Sequence, residues 1–433
     1  MRMKNVNEVA DDFEMRLIEN GAFRPDPNVV AAVSLSYEHW PSYVRAHSLL
    51  DPEIASLLST QAAQTLKWLT GFGLRFETLP IYHLTMSAPR IAAVGGGQAI
   101  LDALTKHLEA KQATFVYETT AIGLLQNGDG EVVGVEAIDR KRRTSGYRAK
   151  STVLACGGFE GNPEMLTRYL GARAKHVRPV ARGGYYNKGE GIGMALDVGA
   201  APAGEYSSFH AEPVDPRSRQ PEAVVFIYTH GILVNSSGER FVDEAPGYSD
   251  LHFDHICHRV ADQPDGIAYA IFDATIEDVP NWRKSVRSDQ PPIAANSISD
   301  LARATGIDPV GLERTVLAYN NACTAGVFSP LVLDGLSTTN LQPRKSNWAR
   351  ALRVAPYFAF PIIPAIVFTF GGLKVDTKAR VLDCDGRPIP GLYAAGETVG
   401  IYHKNYTGAT SVLRGAVFGR VAGAAAAAAG AER

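Results

Sequence analysis

Residues 369–423 read TFGGLKVDTKARVLDCDGRPIPGLYAAGETVGIYHKNYTGATSVLRGAVFGRVAG. Gly371 and Gly372 open the stretch. Cys384-Asp385-Gly386 marks a hairpin turn, because Asp and Gly tolerate the backbone angles of a tight reversal. Leu392 to Ala395 is an apolar strand ending on Gly396-Glu397. A second glycine-bearing loop leads into a long alanine-rich helix opened by Ser411, Val412 and Leu413. Strand, glycine loop and helix in this order predict an α/β fold.

The run just before it, Val354 to Phe370, is continuously apolar. It is shorter than the ~20 residues a membrane span needs, and Pro356, Pro361 and Pro364 would break a helix. It is therefore expected to be buried extended chain. The alanine run Ala424 to Ala429 reads as the end of a packed helix, so no transmembrane segment is expected.

Further upstream, Ile54, Leu57, Leu58, Ala62, Leu66 and Leu69 share one helical face over Pro52 to Thr70, and Gly71 and Gly73 stop it. Gly95-Gly96-Gly97 introduces a second helix bearing Ile100, Leu101, Leu104 and Leu108. The period then changes to two. Phe115 to Tyr117, Ala121 to Leu125, Val132 to Ile138 and Tyr147 to Ala155 read as strands, with a turn at Asn127-Gly128-Asp129-Gly130. Helices are expected over Pro163 to Leu170 and Gly191 to Val198. From Ser207 the pattern is irregular, with Pro213, Pro216 and Pro221. It holds strand-like runs at Gly231 to Asn235 and Ala268 to Phe272 and a helix at Pro309 to Asn320.

Composition narrows the class. The 433 residues are 45% hydrophobic and 20% charged, with a net charge of −2. That suits a globular protein of two or three domains and argues against nucleic acid as a partner. Cys156, Cys257, Cys323 and Cys384 are far apart without a CxxC pair. Neither a disulfide framework nor a metal site is expected, and a reducing cytoplasm fits.

The closing segment resembles that of the succinate dehydrogenase/fumarate reductase flavoprotein family. Val153-Leu-Ala-Cys-Gly-Gly-Phe-Glu160, Gly189-Glu-Gly-Ile-Gly-Met-Ala195 and Gly238-Glu-Arg-Phe-Val-Asp-Glu244 resemble it too, in the family's order. Tyr82-His83-Leu84, Phe368 to Asp376 and His403-Lys-Asn-Tyr406 resemble tricarballylate dehydrogenase and its relatives in particular. The resemblance implies FAD as cofactor. It also implies a Rossmann-like FAD-binding domain interrupted by an α+β cap: residues 1–206 first part, 207–355 cap, 356–433 return segment.

One piece of the pattern is missing. The family opens with a strand and a GxGxxG turn for the FAD pyrophosphate. Here Gly71-Phe-Gly73 meets Phe76, Gly95-Gly-Gly97 meets Ile100, and Gly189-Glu-Gly191 meets Met194. A buried first strand would contribute ~10 kcal/mol at roughly 1.5–3 kcal/mol for each of about five side chains. That rivals a domain's net stability of ~5–15 kcal/mol. The expectation is therefore an N-terminally truncated domain, with Met1 an internal start.

By resemblance, Gly157 and Gly158 allow close backbone approach to the cofactor, as do Gly371, Gly372 and Gly396. Glu397 would bond a ribitol or ribose hydroxyl, and Glu190 stands where the family more often has Asp. Backbone N–H groups at Ser411, Val412 and Leu413 would face the reduced flavin, favoured by the helix dipole. Taken singly, each glycine serves a turn equally well.

The fumarate reductases' cations are largely replaced. Tyr248 stands at the arginine acid, Val367 and Phe368 at a histidine pair, and Tyr406 at the substrate-binding arginine. Two tyrosines here resemble flavin-dependent ketosteroid dehydrogenases. That implies Tyr406 as orienter or electrophile and Tyr248 as acid/base. Glu244 would orient neighbours or relay protons, or simply pair with Arg240. His403, Lys404, His83, Arg90 and Arg414 are further candidates for a carboxylate.

The reading is an FAD-dependent dehydrogenase or reductase acting on a C–C bond beside a carboxylate or ketone. A tricarballylate-like polycarboxylate is the first candidate and a ketosteroid-like enone the second. The partners implied are a small-molecule substrate and an electron donor or acceptor that the sequence does not identify. The rival expectation is a truncated product that holds no FAD and catalyses nothing.

Overall fold

In the computed structural model, which describes residues 51–78, 91–249, 252–403, 406 and 410–431, the apolar run upstream of Gly371 becomes one long strand, Tyr357–Thr369. Most of its side chains are buried, as a strand covered on both faces requires. Its first half pairs antiparallel with Ala268–Phe272, from Ala268↔Ile362 to Phe272↔Phe358, and with Ile293–Ala295. Its second half pairs antiparallel with Phe209–Val214, from Ile363↔Val214 to Thr369↔Phe209, and parallel with Arg178–Pro179. Ile232–Val234 extends the sheet beyond Ala268–Phe272. The sheet therefore runs straight across the domain boundary expected at 355/356.

A second, three-stranded sheet holds Arg380–Leu382, Pro388–Ala394 and Thr152–Leu154. The turn at Cys384-Asp385-Gly386 joins its first two strands. Asp383 accepts the N–H groups of Asp385 and Arg387 there, and Gly386 takes φ +79°. Thr152–Leu154 runs parallel to the other edge of Pro388–Ala394, with Leu154 opposite Ala394.

The third sheet is the antiparallel meander Thr119–Gln126, Val132–Asp139 and Thr144–Arg148. The strand expected over Tyr147 to Ala155 is thus two strands in two sheets, because the chain turns at Lys150-Ser151. Phe115 to Tyr117 forms no strand. Phe115 and Tyr117 stack on each other at 6.2 Å instead of meeting a neighbouring strand.

Helices occur where periodicity placed them, at Pro52–Thr70, Gly96–Ala110, Pro163–Leu170, Glu190–Asp197 and Pro309–Ala322. Pro52–Thr70 is N-capped by Asp51, which accepts from Glu53 and Ile54 N–H. Its apolar stripe of Ile54, Leu58, Ala62, Leu66 and Leu69 is buried. Gly96–Ala110 buries none of its residues, and Leu101 is 62% exposed. Phe209–Val214, Phe253–Ala261 and Ile298–Thr305 fall in the stretch whose sequence looked irregular.

The closing helix spans Ser411–Ala431. By length and composition alone it could cross a membrane. In this fold Leu413, Arg414, Val417, Phe418 and Ala422 are buried, and Arg420 bonds Gln61 on Pro52–Thr70. The architecture is mixed α/β, with one core around Phe159, Ile192, Ile366, Phe370 and Leu392 and others around Phe272 and Leu312.

Candidate active site

Two loops leave the carboxyl ends of the adjacent parallel strands Thr152–Leu154 and Pro388–Ala394, tied by Ala395 N–H to Leu154 O at 2.9 Å. Outside such strand ends is where open α/β sheets bind ligands. The first loop carries Gly157 and Gly158, the second Gly396 and Glu397. Gly157 takes φ +80°, which glycine adopts without strain, and its carbonyl accepts from Thr398 Oγ1 at 3.1 Å. A Cβ on Gly158 would run into the Glu397 carboxyl and the Thr369 hydroxyl. The backbone approach that glycine permits is thus used here to seat Glu397.

Glu397 is pinned by Thr369, whose N–H donates at 2.8 Å and whose hydroxyl donates at 3.2 Å. Glu160 lies alongside, buried, with Oε1 accepting from Asn187 Nδ2 at 2.5 Å and Oε2 unpartnered. The Glu160 and Glu397 carboxyls are near enough to repel each other when both are charged, which favours a proton on one of them. Burial first, and the negative charge of Glu397 second, push Glu160 up to about 9. Glu397 is raised as well by burial, opposed by the positive charge of Arg414 and the Thr369 N–H.

Arg414 is 1% exposed. Its Nη1 donates to Val399 O at 3.3 Å, and its guanidinium lies 4.6 Å from the Tyr402 ring centre and 5.1 Å from that of Phe368. Its Nε has no partner. Orphaned polar atoms on Glu160 and Arg414, enclosed beside the glycine loops at the strand ends, fit a cofactor rich in hydroxyls and ring nitrogens. Burying such atoms unpaired is costly, and a bound polar group relieves it.

At the start of Ser411–Ala431, Val412 is exposed and Leu413 buried. The N–H groups of Thr410 and Ser411 donate to the Tyr406 hydroxyl at 2.9 and 3.0 Å. That hydroxyl donates in turn to Ser411 Oγ at 3.1 Å. Tyr406 thus occupies the helix end at which the family resemblance implies the reduced flavin. Gly396 and Gly415 sit face to face, where the second loop meets this helix.

Tyr406 also leads to a pair that sequence reasoning missed. Its ring lies 4.2 Å from His210, and both pack on Phe368 at 5.1 Å. His210 Nδ1 is 3.0 Å from Asp254 Oδ1, which also accepts Ala211 N–H at 3.0 Å. Asp254 Oδ2 accepts Tyr406 N–H at 3.3 Å. Burial alone would raise Asp254, but the bonds from His210 and Ala211 and the nearness of His258 outweigh it and hold Asp254 below the usual carboxylate range. The signal in the sequence was the spacing of Phe253, Ile256, Cys257, Val260 and Ala261, a helical stripe that places Asp254 on its buried side.

The other candidates lie apart from this cluster. Glu244 is fully buried and accepts two hydrogen bonds from Arg240, from Nε at 2.8 Å and Nη2 at 2.7 Å, plus one from Leu233 N–H at 2.9 Å. Lys345 Nζ stands 4.0 Å from it and donates to Thr229 O and Gly231 O at 2.5 and 2.9 Å. This is the Arg240 pairing, set in a buried ionic lock. Tyr248 is half-buried and its ring neighbour is Trp348 at 6.2 Å, so it shares no ring partner with Tyr406. Glu190 turns back to accept Lys188 N–H at 3.2 Å. Gly371 packs against the Tyr206 ring and Gly372 against the Thr398–Gly400 backbone, so both serve close chain packing. His403 is half-buried. His83, Arg90 and Lys404 lie outside the described residues.

Glycine loops at the carboxyl ends of adjacent parallel strands, met by a long helix, are the arrangement of a nucleotide-cofactor domain. The family model described as FAD binding domain matches residues 31–413. The chain belongs to that family, and its cofactor is FAD.

A probable fumarate reductase, Ifc3, of Shewanella frigidimarina is 28% identical over 382 residues, covering 86% of this chain and 61% of that protein. Urocanate reductase of Eggerthella lenta is 28% identical over 402 residues, covering 87% and 62%. The chain therefore spans less than two thirds of the length of these relatives. Among solved structures, the open conformation of a flavocytochrome c3 fumarate reductase superposes with a TM-score of 0.72 at 23% identity, covering 99% of this chain and 68% of that one. The 3-ketosteroid-Δ4-(5α)-dehydrogenase of Rhodococcus jostii superposes with a TM-score of 0.65 at 22% identity, covering 98% and 86%.

Proposed function

We propose that this protein is an FAD-dependent dehydrogenase or reductase acting on a C–C bond activated by a neighbouring carboxylate or ketone. The observation that carries the proposal is the pair of strand-end loops where Gly158 makes room for Glu397 and where Glu160 and Arg414 keep unpartnered polar atoms. Bound FAD supplies a hydride acceptor or donor there. Glu397, Glu160 and Arg414 would bond its polar groups. The aromatic rings of Phe368, Tyr402 and Tyr406 would help keep water from a flavin bound beside them.

A tricarballylate-like polycarboxylate is the first substrate class, on the sequence resemblance of Phe368 to Asp376 and His403 to Tyr406. A ketosteroid-like enone is the second reading. It is favoured by one observation: the Tyr406 ring stands among the rings of His210, Phe368 and Tyr402.

The test is direct. A purified protein that is yellow and releases FAD on denaturation supports the reading; a colourless one that takes up no FAD refutes it. Anaerobic mixing with tricarballylate or with a 3-ketosteroid then assigns the class, by which of the two bleaches the flavin.

A further inference from the structure

We propose that His210 is the proton-transfer residue of this site and that Asp254 positions it. The inference rests on the reading of the site as one for hydride chemistry at an activated C–C bond. Asp254 meets only donors: His210 Nδ1, Ala211 N–H and Tyr406 N–H. A carboxyl group surrounded this way acts as an ionised acceptor. Nδ1 of His210 therefore carries a hydrogen, which leaves Nε2 as the ring nitrogen that exchanges a proton with a ligand.

Among the described residues nothing bonds Nε2, although His210 is only 3% exposed. The ring neighbours Tyr406, Phe368 and Phe253 present aromatic surfaces, and the Tyr406 hydroxyl is already engaged by Thr410 and Ser411. Nε2 is not one of the fully enclosed orphan atoms, so a ring that is otherwise buried keeps this one nitrogen open to a hydrogen-bonding substrate group.

The position fits the role. Phe368 precedes Thr369, which holds Glu397, and Tyr406 caps the flavin-facing helix. His210 thus packs on the residue before Thr369 and on the tyrosine that caps the closing helix. Other titratable groups nearby are His258 and Cys257 on the Asp254 helix, Glu212 on the histidine's own strand, and Tyr402 and Arg414 across Phe368.

In the oxidative direction, Nε2 takes the proton from the substrate carbon beside the carboxylate or ketone. The electron pair of that C–H bond becomes the new π bond, while the neighbouring carbon gives up a hydride to the flavin. The imidazolium that forms faces the Asp254 carboxylate, which stabilises it and fixes its orientation. In the reductive direction the same nitrogen returns the proton.

The test uses the flavin-loaded full chain and two readouts. The first is the proton NMR spectrum of protein labelled with 15N-histidine, recorded without substrate. A low-field Nδ1–H signal should be present in the wild type and lost in Asp254→Asn. The second is stopped-flow bleaching by tricarballylate and by a 3-ketosteroid. His210→Gln should slow bleaching by about 10²–10⁴-fold, while ligand affinity, read from the flavin spectral shift, stays within about threefold. A wild-type spectrum without the Nδ1–H signal overturns the proposal even if the variants fail to fold. So does a His210→Gln protein that bleaches within about threefold of the wild-type rate. A wild type that neither substrate bleaches overturns the underlying functional reading instead, a result distinct from bleaching that survives the substitution.

Discussion

Gly158 and Glu397 occupy the same small volume: a side chain on the first would displace the carboxyl of the second. The glycine is fixed by its neighbour more than by its own backbone angle. Gly158→Ala should push Glu397 off Thr369 and weaken FAD binding. Crowding of this kind costs about 1–3 kcal/mol, which is roughly ten- to hundredfold in affinity. Titration of the stripped protein with FAD, followed by flavin fluorescence, measures it. Affinity equal to the wild type's would count against the cleft as the cofactor site.

The Glu160–Glu397 pair makes stability depend on pH. Glu160 is raised from 4.5 to about 9, so the folded chain keeps a proton that the unfolded chain releases above pH 4.5. The sign follows: this stability is complete below 4.5 and is lost as pH rises toward about 9. The slope reaches at most about 1.4 kcal/mol per pH unit for one proton. Urea unfolding of flavin-free protein between those limits should show the decline, and Glu160→Gln should flatten it.

Tyr406→Phe removes the acceptor for two helix-opening N–H groups. The ring keeps its packing on His210 and Phe368. A loss of about 1–2 kcal/mol is expected, since part of the bonding is recovered from water. The urea midpoint reads it. A variant as stable as the wild type would mean that the hydroxyl does not cap the helix in solution.

Glu244→Gln should strip Arg240 and Lys345 of their buried counter-charge. Breaking one partner of a buried pair costs about 3–5 kcal/mol. Thermal unfolding should register the loss, while the flavin of the molecules that remain folded should be reduced at the wild-type rate. A proton-relay role for Glu244 predicts the opposite pattern, a slow but stable enzyme.

What could be read from the chain alone followed from local rules. Ile54 to Leu69, Pro163 to Leu170 and Ala268 to Phe272 have periods and caps that agree with their surroundings, and their bounds came out close to those in the structure. The glycines at the strand ends were legible because a strand, a glycine pair and a helix in succession have few other uses.

The His210–Asp254 pair was not legible. The two residues are 44 positions apart and meet only because Phe209–Val214 and Phe253–Ala261 pack together. Prolines beside the first element hid it, and the polar His and Asp residues of the second diluted its apolar stripe. The sequence marks Tyr406 as a candidate by position, but not that its hydroxyl meets the helix end. Hydroxyl direction is set by backbone that no residue pattern encodes.

The strand Tyr357–Thr369 has a further consequence. One end is stitched to Ala268–Phe272, beneath the lock of Glu244 and Lys345, and the other end hands Thr369 to Glu397. No loop interrupts it between those points. Any closing movement of the middle region must therefore flex this strand or slide neighbours along it. Such strain arrives at the carboxyl that would grip the cofactor, so a disturbance far out in the middle region would be felt first as a change in how tightly the flavin is held.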